Sequence, residues 1–337
     1  MRYAALDGLR GFAALLVVLS HFSNQTGMWG DRFGDGGGQI GVMLFFLISG
    51  FLMGRLYLEE DITAGSAFRF AQRRIARVVP LYVFIVLASF ATVRLSGAAH
   101  GMYSITTSNL AEHLFFLNGV DVLWSIPVEI HFYLLFVVIW VAAAYLRTAV
   151  TVAVLVVVAL LCVLVPHAAE EHELLYHLHF FLAGVVVAIA HRTKIIRPAK
   201  PWDIAFIVLA FAPLLLMPHI ALQLFGESFD LWKSPLIFIV LTLLLVSALG
   251  SSLAETALGG RLGRFGGDIS YSVYLVHSPI FFWLGIVRPT STKIFLLGFL
   301  TCVVLVSCVT YRLIERPSRR IINAIGRGKY KAAPHAA

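Results

Sequence analysis

The strongest constraint on this chain is the recurrence, ten times over, of an apolar run long enough to cross a hydrocarbon core. The runs lie at about 8–24, 39–58, 77–97, 124–145, 148–166, 174–191, 202–218, 234–252, 268–287 and 294–314. A spanning helix needs roughly 20 such residues, and the remaining sequence is too short to cover ten of them. Composition agrees: 59% of the 337 residues are hydrophobic and 13% are charged, with a mean hydropathy of +0.87, far from the balance of a soluble domain. Inside a bilayer the backbone must satisfy its own polar groups, which leaves helices for runs of this kind. The expected fold class is all-α: a polytopic membrane protein of about ten transmembrane helices, with the lipid bilayer as its first partner.

The net charge of +8 comes from basic residues in short connections between the runs. It forms no stripe with interleaved aromatics, so a nucleic-acid partner is excluded. With a cytoplasmic N-terminus, 21 of the 26 lysines and arginines fall on the inner side; Arg32, Arg94, Lys233, Arg288 and Lys293 fall on the outer. This obeys the positive-inside rule and puts both termini in the cytoplasm. Glu170, Glu171, Glu173, Glu227 and Asp230 make the outer loops acidic. Residues 1–320 are read as the membrane core and 321–337 as a basic cytoplasmic tail, expected to be disordered. The first run lacks an Ala-x-Ala-like end, so it is read as a retained helix rather than a signal peptide. Cys162, Cys302 and Cys308 all lie within spans, and no disulfide framework is expected. No connection is long enough for a soluble domain, and no internal repeat of the inverted-transporter kind is evident. Chemistry therefore belongs inside the bundle or at its mouths.

Four groups of polar residues stand out against the apolar background. Arg10 and His21 lie in the first run, LDGLRGFAALLVVLSHF. Eleven helical steps put them on one face, roughly 16 Å apart along the axis. Arg10 then sits near the inner surface and His21 about 10 Å below the outer one. Arg73, Arg74 and Arg77 form the inner mouth of the third span in FAQRRIARVVP, where Arg74 and Arg77, one turn apart, make a fork suited to phosphate oxygens. LWSIPVEIHFY opens the fourth span from outside with Trp124, Ser125, Glu129 and Tyr133. Glu129 comes out about 7 Å deep, close to the height of His21, which makes the histidine its expected partner. Pro127, two residues before it, is expected to break the helix locally and expose backbone groups beside the acid. The ninth span carries Ser270 and His277, with Tyr271, Tyr274 and Ser278 repeating at helical spacing as a polar stripe, read either as interhelical glue or as a substrate lining.

Each group also has a plain structural explanation: a hydrogen-bonded buried histidine, inner-loop charge, or interhelical bonding. A zinc reading of His177 and His179 lacks a further ligand, and no metal is expected.

Taken together, these motifs resemble the membrane-bound acyltransferase family 3, the integral-membrane O-acyltransferases of bacterial surface polysaccharides and related acceptors. Carrying the resemblance are LDGLRGFAALLVVLSHF, GVMLFFLISGFLM at 41–53, FAQRRIARVVPLY at 70–82, LWSIPVEIHFYLL at 123–135, ISYSVYLVHSPI at 269–280 and IERPSRR at 314–320, in that order. The resemblance implies a ten-helix core in the bacterial inner membrane that takes an acyl group, usually acetyl, from cytoplasmic acyl-CoA and passes it to an acceptor hydroxyl. It makes His21 the expected catalytic histidine, Arg10 its motif partner, Arg74 and Arg77 the inner arginine pair, and Glu129 the fourth-span acid. Two positions depart from the family pattern: Met43 and Ile130 stand where relatives often carry acids. Many relatives also carry an SGNH-type hydrolase domain; here such a domain is expected, if at all, as a separate partner.

The expected mechanism places acyl-CoA as a co-substrate, with no permanently bound cofactor. Its phosphates dock on Arg10, Arg74 and Arg77, and His21, oriented by Glu129, acts as general base or transient acyl acceptor. The acceptor is expected to be an extracytoplasmic or lipid-linked carbohydrate, with Arg73, Trp124, Ser125, Tyr133, Ser270, Tyr271, Tyr274 and His277 as lining. The competing class is a proton-coupled transporter or flippase of a sugar or lipid-linked intermediate, with His21 and Glu129 as its relay.

Overall fold

A computed structural model describes residues 3–29, 33–34, 36–96, 102–164, 169–170, 172–215, 230–286 and 291–329. The described residues are helical throughout their regular structure. The elements are α1 (Ala4–Thr26), α2 (Gly37–Tyr57), α3 (Ala64–Ser96), the short α4 (Leu110–Leu114), a 3₁₀ turn (Asp121–Trp124), α5 (Ser125–Tyr145), α6 (Thr148–Leu164), α7 (Leu174–Arg192), α8 (Lys200–Leu215), α9 (Pro235–Gly250), α10 (Ser252–Leu258), α11 (Arg261–Gly285) and α12 (Thr292–Thr310). A π turn (Tyr311–Glu315) then leads into α13 (Arg316–Lys329).

The described part of every expected apolar run falls on these helices and the turns that adjoin them. Among the described residues, six helices are long and apolar enough to cross a membrane, seven if α9 and α10 count as one bent span. That bend corrects the expectation of a single helix over 234–252: the chain turns by 91° after Gly250. The cause is local, since Ser251 is extended and its hydroxyl accepts from the Ala254 amide, capping a new helix. Asp203 fixes the corner by accepting from the Ser251 hydroxyl and the Leu253 amide. The first residues of the basic tail, up to Lys329, are helical, and Gln72 on α3 donates to the carbonyl of Ile322 on α13.

Bundle packing relies on small residues, as expected where lipid offers no hydrophobic drive between helices. The most extensive contacts join α2 to α7 and α1 to α11. At the first, Gly50 faces the carbonyl of Phe181 and Gly184 faces that of Leu47, so a methyl at either position would overlap backbone. At the second, Gly267 meets the backbone of Asp7 in the same way. These crossings clamp α1 between α2 and α11, which sets where Arg10 and His21 point.

Candidate functional site

Two cavities open beside α1, one at Arg10 and one at His21. The arginine cavity is tight, about 40 Å³, and is lined by Arg10, Arg74, Arg77, Ser49, Ser125, Glu129, Tyr271 and Tyr274 among apolar side chains. The histidine cavity, about 320 Å³, is lined by His21, Ser20, Asn24, Gln39, Asp121, Trp124, His172 and Tyr274 with apolar neighbours. Val42 and Tyr274 belong to both linings, so these two side chains form the partition between the cavities. Tyr274 is held rigidly there: its hydroxyl donates to the Val122 carbonyl at 2.9 Å and accepts from Ser125 Oγ at 2.9 Å.

In the arginine cavity, Arg74 is buried, its guanidinium carbon 5.7 Å from the centre of the Tyr57 ring and 5.8 Å from that of Tyr133. Such a sandwich holds a cation over two electron-rich faces. Glu129 is near enough for its charge to act on Arg74, and its Oε1 accepts from Ser49 Oγ at 2.9 Å and from the Tyr133 hydroxyl at 2.6 Å. Arg77 is half-buried at the same cavity. The fork expected from the Arg-x-x-Arg spacing thus points into one space, with Arg74 deep and Arg77 nearer the surface.

The partner of His21 differs from the one expected. Glu129 is committed to Ser49 and Tyr133, whereas His21 Nδ1 lies 3.2 Å from Nε2 of His277. The contacts along α2 set the two groups apart in height: Gly38 stands against His21 and Ser49 bonds Glu129, eleven residues or about 16 Å along that helix. The hydrogen-bond chain also assigns the ring hydrogens. His277 Nδ1 lies 2.8 Å from the Tyr274 carbonyl and 3.2 Å from that of Val273. Carbonyls only accept, so this nitrogen carries the hydrogen and Nε2 presents a lone pair. His21 Nδ1–H donates to that lone pair, so in the neutral ring His21 Nε2 carries no hydrogen. Gly38 on α2 keeps this edge open, since a methyl there would stand 3.6 Å from Nε2.

The carboxylate whose charge acts on His21 is Asp121, in the lining of the same cavity. It escaped the reading of the sequence. Asp121 has φ +50°, in the left-handed region that aspartate tolerates better than most residues, and it starts the 3₁₀ turn that feeds α5. Because that turn runs straight into α5, Pro127 falls in the first helical turn, where its missing N–H breaks no bond. The break expected beside Glu129 does not occur.

The other expected lining residues divide. Trp124 lines the histidine cavity, and Ser125, Tyr271 and Tyr274 line the arginine cavity. Tyr133 and His277 act one layer back, holding Glu129 and His21. Ser270 is buried on the Gly267 carbonyl, and Arg73 is exposed; neither lines a cavity. Met43 is buried in the core.

A family model described as an acyltransferase domain matches residues 3–312. The chain belongs to this membrane acyltransferase family. It is 29% identical over 92% of its length to BcsY of Komagataeibacter xylinus, assigned as a membrane-bound transacylase, covering 81% of that protein. The O-acetyl transferase of Shigella phage Sf6 is 23% identical over 81% of this chain and 83% of its own. YrhL of Bacillus subtilis, assigned as a peptidoglycan O-acetyltransferase, is 26% identical over 93% of this chain and 54% of its own. No solved structure matches the chain.

Proposed function

We propose that the protein transfers an acyl group, acetyl in keeping with the names of its relatives, from cytoplasmic acyl-CoA to a hydroxyl of a carbohydrate acceptor. The observation that carries this reading is the contact of the two cavities at Val42 and Tyr274. One presents arginines, the other an unprotonated imidazole edge. With ten spans and both termini in the cytoplasm, the arrangement that the positive-inside bias favours, the arginine cavity receives the donor from the inside of the bacterial inner membrane. The histidine cavity then receives the acceptor from the outside. Trp124 stacked with His172, ring centres 5.7 Å apart, gives that cavity a flat aromatic wall, and Asn24, Gln39 and Asp121 give it polar groups of the kind that hold a sugar.

In this scheme His21 Nε2 takes the proton of the acceptor hydroxyl as its oxygen attacks the thioester carbonyl. The carbon–sulfur bond breaks, the ester forms, and the departing CoA thiolate takes the proton back from the imidazolium. Asp121 favours the transient cation on His21 across the cavity. His277 holds the ring in the tautomer that leaves Nε2 free. Glu129 serves the donor side, balancing Arg74 and fixing Tyr133, rather than orienting His21.

The test is transfer from labelled acetyl-CoA to candidate glycans by purified protein in lipid nanodiscs. His21→Ala is expected to abolish transfer while the protein still folds; transfer at the wild-type rate would remove the histidine from the chemistry. Arg77→Ala is expected to raise the apparent KM for acetyl-CoA, and an unchanged KM would remove it from donor binding.

A further inference from the structure

A third cleft, outside both cavities, lies where α12 ends. It measures about 410 Å³ and is lined by Tyr311, Arg316, Arg319, Arg320, Asn323 and Ala324. Arg316, Arg319, Arg320 and Asn323 follow the i, i+3, i+4, i+7 spacing of one helix face. The π turn just before them shifts the helical register, a feature that recurs at functional sites. Arg319 donates to Glu315 at 2.7 Å and stands 6.0 Å from the Tyr311 ring centre, and its Nε is buried without a hydrogen-bond partner. Arg316 and Arg320 are exposed and have no ion-pair partner among the described residues. Of the acids, Glu315 is committed to Arg319 and Ser272, while Asp268 acts electrostatically on Tyr311 and Arg319. Two uncompensated guanidinium groups therefore remain.

The cleft adjoins the donor side. Arg77, in the arginine cavity, acts electrostatically on both Glu315 and Arg319, and α13 is tied to α3 through Gln72. The direction of the face argues for a soluble anion. Ile321 and Ile325, 63% and 61% exposed, occupy the opposite side of α13 and are the surface suited to lipid, so the arginines turn away from it. In the arginine cavity itself, Arg74 lies against two rings, and a space of about 40 Å³ is too small to seat a nucleotide.

We propose that this cleft binds the 3′-phosphoadenosine diphosphate end of the acyl donor, with Arg316 and Arg320 on its phosphates and Tyr311 beneath the adenine. The pantetheine arm then passes Arg77 into the arginine cavity. This rests on the reading of the donor as acyl-CoA and gives its nucleotide end a seat that the Arg-x-x-Arg pair does not provide.

The test uses full-length protein in nanodiscs, comparing wild type with Arg316→Gln/Arg320→Gln on two donors, acetyl-CoA and S-acetylpantetheine. The expected result is a rise of about tenfold in KM for acetyl-CoA, an unchanged kcat, and an unchanged KM for S-acetylpantetheine, which has no nucleotide. A KM for acetyl-CoA equal to wild type, or an equal rise for both donors, overturns the proposal. Nanodiscs with and without phosphatidylglycerol separate the two sources of phosphate: an effect confined to the anionic lipid assigns the cleft to headgroups and also overturns it. Direct binding of adenosine 3′,5′-bisphosphate, lost in the double variant, keeps the proposal separate from the donor reading. If acetyl-CoA supports no transfer but the bisphosphate binds, the donor reading falls and the cleft stands. If the bisphosphate does not bind, the cleft falls.

Discussion

Replacing His277 by phenylalanine isolates the role of the histidine pair. The ring keeps most of its volume, so the buried site on α11 stays filled, but His21 Nδ1–H loses the acceptor 3.2 Å away. A buried donor left without a partner costs about 1–3 kcal/mol. The ring escapes that cost by rotating or by moving its hydrogen to Nε2, and either change removes the lone pair from the acceptor side. The same energy taken from the transition state lowers kcat by about 5- to 150-fold, at 1.4 kcal/mol per tenfold. His277→Gln is the control, because its side-chain oxygen reaches near the position of Nε2 and again accepts from His21. It is expected to retain activity within about threefold of wild type. The assay is acetyl transfer in nanodiscs with kcat and KM resolved for both substrates, alongside thermal unfolding of each variant. A fall in kcat with unchanged KM for the donor, restored by glutamine, supports the relay. Wild-type kcat in a folded His277→Phe protein refutes the tautomer assignment and the reasoning behind it.

Two further outcomes follow from the geometry. Tyr274→Ala removes half of the partition between the cavities, so water reaches the thioester: release of free thiol from acetyl-CoA without acceptor should rise relative to transfer, and a ratio equal to wild type contradicts the partition. Gly184→Val drives a side chain into the Leu47 carbonyl at the α2–α7 crossing; overpacking of this kind costs at least about 1–3 kcal/mol, so the melting temperature in detergent should fall, and an unchanged melt would mean that the crossing is looser than described.

The sequence made some of this site legible and hid the rest for identifiable reasons. That Arg10 and His21 each face a cavity follows from helical periodicity, as does the shared direction of Arg74 and Arg77, because both are relations within one rigid helix. The His21–His277 bond joins residues 256 apart in sequence, and no local periodicity says which helices become neighbours. Glu129 lies deeper than counting residues from the start of its span implies: it meets α2 at Ser49 and His21 meets α2 at Gly38, about 16 Å apart along the helix. Asp121 carried no motif signal: a single acid in a connecting segment acquires meaning only through a left-handed backbone turn that aims it at the histidine cavity. At α9 and α10, Gly250 followed by Ser251 and Ser252 was a legible capping pattern, overshadowed by the apolar length around it.

The partition of Val42 and Tyr274 also has an energetic consequence for the cell. Under the proposed reaction an acyl group leaves the donor side and ends on the acceptor side, while the hydroxyl hydrogen makes the opposite journey and departs as a thiol. Both travellers are neutral overall, so a complete turnover moves no net charge through the wall. Turnover then draws nothing from the membrane potential and is not held back by it; the thioester alone supplies the drive, and an energised and a de-energised membrane present the enzyme with the same equilibrium.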